Sequence, residues 1–83
     1  MKVTVFYLKK CPHCLKAFRI WEQLKKEEKY SSIELDLHEE SEESEFANSF
    51  DYYYVPCFYY QDQKLHEGAI DEDSMRTMLD ALI

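Results

Sequence analysis

The sequence predicts an α/β fold in the order βαβαββα, a four-stranded mixed sheet with helices on both faces. Three observations carry this. Strand-length runs rich in β-branched or aromatic residues fall at 2–8, 33–37, 55–60 and 64–67. Helical spacing fills the stretch after the first strand, so a crossover helix joins strands 1 and 2 as a right-handed parallel pair. Only Gln61-Asp62-Gln63 separates the last two strands, the length of a hairpin turn.

The first strand shows apolar alternation from Val3 to Leu8. The segment 12–29 follows as a helix. Leu15, Ala17, Phe18, Ile20, Trp21 and Leu24 recur on one face and Lys16, Arg19, Glu22 and Lys26 on the other, with Trp21 read as core. After the strand 33–37, Ser41, Ser44 and Glu45 suggest the acidic first turn of a short helix whose apolar face is Phe46, Ala47 and Phe50. The last helix starts at Asp71 as N-cap and buries Met75, Met78, Leu79 and Leu82.

At 83 residues the chain holds one domain and one compact core. A single glycine and two prolines leave no flexible linker or low-complexity tract. No run approaches the roughly 18 apolar residues of a membrane span, and the N-terminus opens on strand-like alternation, so a cytoplasmic monomer without a membrane partner is expected. The net charge of −7 is split: residues 1–29 carry eight Lys/Arg against three acids, and residues 30–83 two against fourteen. A phosphate-binding surface needs a stronger basic patch, which argues against nucleic acid. The acidic body serves solubility, or it complements a partner steered to the basic end.

Chemistry concentrates in Cys11-Pro12-His13-Cys14, where a strand gives way to a helix. Three cysteines do not make a disulfide framework, and a lone CxxC in a reducing compartment reads as catalytic or metal-binding. A sulfur at a helix N-terminus meets backbone N–H groups and the positive dipole end, which favours thiolate, so Cys11 is the nucleophile. Cys14, one turn in and covered, is the resolving thiol with the higher pKa. Pro12 fits the first helical turn without losing a hydrogen bond. His13 either tunes Cys11 through its imidazole or is an exposed spacer.

The tetrad, Val55-Pro56 before the third strand, and Gly68-Ala69-Ile70-Asp71 before the last helix together resemble the thioredoxin fold over the whole chain, and most of all a glutaredoxin. The resemblance implies a thiol–disulfide oxidoreductase exchanging dithiol and disulfide, with no tightly bound cofactor and with glutathione as cosubstrate. It also implies a cis Pro56 that presents the Val55 backbone to a cysteinyl substrate and keeps a metal out of that space. Glutaredoxins usually place a basic residue three positions before the nucleophile; Leu8 stands there, and Lys9 and Lys10 are the candidates for the glycyl carboxylate. Asp71 and the backbone of Ile70 would take the γ-glutamyl end. Alternatively, Lys9 and Lys10 are solvated charges and Asp71 only caps its helix. Lys10 stands where thioredoxins carry a tryptophan.

Five of the seven tyrosines, Tyr52, Tyr53, Tyr54, Tyr59 and Tyr60, surround this proline; they are expected mainly as sheet packing, or else as a rim gripping peptide or glutathione. Cys57 is expected as a packed strand residue. Other readings are a thioredoxin-like protein served by a partner such as a flavoprotein reductase, and a glutathione-ligated [2Fe-2S] carrier. Structural zinc is disfavoured, because only one cysteine pair exists and His38 and His66 lack partner spacing.

Overall fold

A computed structural model describes residues 1–83. Strand β1 (Lys2–Tyr7) leads into helix α1 (Pro12–Leu24). A 3-10 turn (Glu28–Tyr30) precedes β2 (Glu34–Glu39), and α2 (Ser44–Asn48), β3 (Cys57–Tyr60), β4 (Gln63–Glu67) and α3 (Glu72–Asp80) complete the chain. The sheet order is β2-β1-β3-β4, with β1 parallel to β2 and antiparallel to β3. The expected βαβαββα mixed sheet is therefore present. No helix is long and apolar enough to cross a membrane.

Period-two alternation divides the core between the sheet's faces. Val3, Val5 and Phe58 point to the face covered by α1 and α3, where they meet Ala17, Leu24, Tyr30, Met75 and Leu79. Phe6, Cys57 and Tyr59 point to the other face and pack with Ala47, Phe50, Tyr52 and Val55. Phe6 is the hub there: its ring stacks on Tyr52 (centroids 5.0 Å, 14°) and lies 4.9 Å from Phe50. Cys57 is buried, as its sequence context predicts.

Several boundaries differ from expectation. Helix α1 stops at Leu24 rather than running to 29, although the following lysines and glutamates are good helix formers. Tertiary contacts override propensity here. The chain must reverse so that Tyr30 and Ile33 enter the core, Glu27 forms a two-point bond with Arg76 of α3 (3.0 and 2.6 Å), and the Tyr30 hydroxyl donates to Asp80 (2.8 Å). Leu15 is 46% exposed rather than core, because the buried stripe is Cys14, Ala17 and Leu24 and Leu15 is rotated about 100° from Cys14. Ser41 does not open α2. Its amide and hydroxyl both donate to Glu39 (2.6 Å each), and the helix starts three residues later behind Glu43. Val55 and Pro56 precede β3 instead of belonging to it.

At the hairpin Gln61 takes a left-handed backbone (φ 57°). Asp71 caps α3 as expected, accepting from the Ser74 amide (2.7 Å). Gly68, the single glycine, sits at φ 91°, a conformation that L side chains rarely adopt, and its amide donates to the Pro56 carbonyl (2.8 Å).

Candidate active site

The loops that carry the candidate residues gather at one end of the sheet. Cys11 is itself the N-cap of α1, with extended backbone (φ −80°, ψ 118°); Pro12 occupies the first turn, and the Cys11 amide donates back to Leu8 (3.1 Å). The Cys11 side chain is half-buried, Cys14 is fully buried and both are free thiols. His13 is exposed. Opposite them the Val55–Pro56 bond is cis, as the resemblance implies. Because Phe6 pairs with Cys57, continuing the antiparallel register sets Val55 across from Leu8, just before the cysteine loop. Neither the Val55 amide nor its carbonyl is hydrogen-bonded within the chain.

The two thiols are electrostatically unlike. Burial pushes Cys11 up, but the Cys14 amide, the Cys14 thiol and the His13 amide outweigh it and hold Cys11 below the usual thiol range. Burial drives Cys14 up to about 12; the Leu8 amide opposes this, while the Cys11 sulfur and the Glu40 carboxylate add to it. Cys57 also rises to about 12, mainly through burial, and it faces away from α1 on the opposite side of the sheet. No group of three or more His, Cys, Asp or Glu is arranged to hold a metal ion.

This asymmetry has a direct test. Iodoacetamide should modify the reduced native protein once, at Cys11, with a rate that falls as pH drops through a midpoint below the about 8.5 of free cysteine. Cys14 and Cys57 should stay unmodified until the pH approaches about 12. Two equivalents at neutral pH, or a midpoint above that of free cysteine, would contradict the assignment.

The remaining candidates are placed unequally. Lys9 is engaged: its amide donates to Glu39 (3.1 Å) and its ammonium pairs with Glu42. Glu39, only 7% exposed, is saturated by that amide and by Ser41, which hold it below the usual carboxylate range. Lys10 is exposed, has no ion-pair partner and lines a cleft with Leu8, Ser41 and Glu42. Ile70 is buried in the α1/α3 core. Asp71 is held below the usual carboxylate range first by its cap bonds to Ser74 and, to a lesser degree, by the charge of Lys16 of α1.

The tyrosine cluster divides. Tyr59 packs, and Tyr52 stacks on Phe6 while donating to Glu40 (2.7 Å). Tyr53 and Tyr54 do not pack; they are 85% and 70% exposed. Their amides instead donate to one oxygen of Glu67, at 2.9 Å for Tyr54, while the other oxygen accepts from Lys64 (2.8 Å). Lys64 and these two amides pull the Glu67 carboxyl down to about 2. Sequence reasoning missed Glu67 and Glu40. A contact made across 13 residues leaves no local pattern in the sequence.

No protein-family model matches the chain, and no curated protein matches it significantly. Solved structures do. A malarial protein superposes with a TM-score of 0.74 at 16% identity, over 96% of this chain and 93% of that one. The germline-specific thioredoxin Deadhead of Drosophila melanogaster gives a TM-score of 0.75 at 23% identity, over 99% of this chain and 80% of its own. The architecture is the thioredoxin fold.

Proposed function

We propose that this thioredoxin-fold chain is a thiol–disulfide oxidoreductase of the glutaredoxin type, working in the cytoplasm with glutathione as cosubstrate. The observation that carries the reading is the pair of unlike thiols, one half-exposed and acidified at a helix start, the other buried one turn in. The Cys11 thiolate attacks a substrate disulfide, forming a mixed disulfide and releasing one substrate thiolate, which takes up a proton. Cys14 then loses its proton and attacks the Cys11 sulfur, which frees the second substrate thiol and leaves the Cys11–Cys14 disulfide. Two molecules of glutathione restore the dithiol and leave as glutathione disulfide. Among the candidates for binding glutathione, Lys10 has a free ammonium and Val55 a free backbone pair.

A second reading, a thioredoxin-like protein reduced by a partner enzyme, draws support from the engagement of Lys9 by Glu42 and from the Deadhead likeness. Equilibrating the pair against glutathione buffers, with mass spectrometry at each point, separates the two. A midpoint of about −200 to −230 mV with a glutathione adduct on Cys11 is expected. A midpoint near about −270 mV without an adduct would favour the partner reductase instead.

A further inference from the structure

We propose that Tyr53 and Tyr54, set in place by Glu67, form a specificity platform for polypeptide disulfides whose cysteine is flanked by an apolar residue; the inference rests on the oxidoreductase reading above. Isolated exposed aromatics are ordinary, but these two are consecutive, both of their amides are held, and the chain is anchored on either side of them. Tyr52 is anchored on Phe6 and Glu40, the amides of Tyr53 and Tyr54 on Glu67, and the Pro56 carbonyl on Gly68. A fixed main chain with two rings left in solvent is a preorganised surface, and tyrosine offers large amphipathic area for only two side-chain torsions.

The platform lies next to the free Val55 amide and carbonyl, and Tyr54 Cβ sits 3.6 Å from where a side chain on Gly68 would begin. An extended segment paired with Val55 would therefore run its neighbouring side chains over the tyrosines. Glutathione has no apolar side chain with which to cover them. A polypeptide does.

The test compares two peptide disulfides that differ only in phenylalanine or glycine beside the cysteine, with bis(2-hydroxyethyl) disulfide as a small substrate. The wild-type protein is expected to prefer the phenylalanine peptide by about tenfold in kcat/KM, expressed in KM. Tyr53→Ser/Tyr54→Ser should bring the ratio to about one. Glu67→Ala should do nearly the same with both tyrosines present, and Glu67→Gln, which keeps an acceptor oxygen, should restore most of the preference. A wild-type protein that exchanges all three disulfides without preference, or a preference that survives the double tyrosine variant, overturns the platform alone. Loss of exchange even on the small disulfide would overturn the oxidoreductase reading, and the platform with it.

Discussion

Replacing Cys11 by serine is expected to reduce disulfide turnover to background, a loss of about three orders of magnitude or more, since a hydroxyl at this position supplies no thiolate. Cys14→Ser should behave differently. If glutathione is the cosubstrate, as proposed above, it resolves the Cys11 mixed disulfide directly, so glutathione-dependent turnover should stay within about an order of magnitude of wild type. Activity on a substrate that must be reduced by the dithiol alone should vanish in both variants. The expected contrast rests on burial: Cys14 is sealed against solvent, whereas Cys11 is half-exposed. Equal loss in both variants, measured with glutathione as the electron source, would mean that glutathione does not resolve the intermediate.

The largest stability effect is expected at Phe6. Its ring is fully buried and sits among Phe46, Phe50, Tyr52 and Tyr59 at centroid distances of 5.7, 4.9, 5.0 and 6.3 Å. Truncation to alanine removes the hub of a cluster that its rigid neighbours cannot refill, at a cost of about 3–5 kcal/mol. A domain of this length has about 4–12 kcal/mol in total, so between about a quarter and all of it goes. With a urea slope of about 1–1.5 kcal/mol/M the unfolding midpoint should fall by about 2–5 M, or the variant should be unfolded without denaturant. Phe46→Ala, at a ring already 41% exposed, should cost far less. Similar losses for the two would show that the cluster is not packed around Phe6.

How much of this was legible in the sequence depends on the range of the interaction. Strand alternation, the Asp71 cap and the tetrad are written within a few residues, and the structure places each where its pattern puts it. The cis bond before Pro56 was reached only through resemblance, since no local rule distinguishes it from an edge-strand proline. The end of α1 was hidden because Lys25 to Lys29 favour helix, while Glu27 and Tyr30 are drawn away by α3, about fifty residues on. Leu15 was misread for a simpler reason. Apolar residues on both sides of the stripe widen it in sequence, and only the packed sheet shows which part is covered. Tyr53 and Tyr54 look like strand residues by composition, yet the carboxylate that fixes their backbone comes from β4 and leaves their rings outside.

The division of the core between the two faces of the sheet bears on how such a chain can diversify. The sulfur chemistry stands on α1 and the core it shares with α3; the segment from Tyr52 to Val55 is rooted in the other core, around Phe6. The two compartments meet only along the shared strands β1 and β3 and at Glu40, which accepts from Tyr52 and also raises Cys14. On the proposed reading, substrate preference and thiol acidity therefore rest on largely different packing, and repacking beneath Tyr52 that keeps its bond to Glu40 is expected to alter partners while the α1 core stays in place.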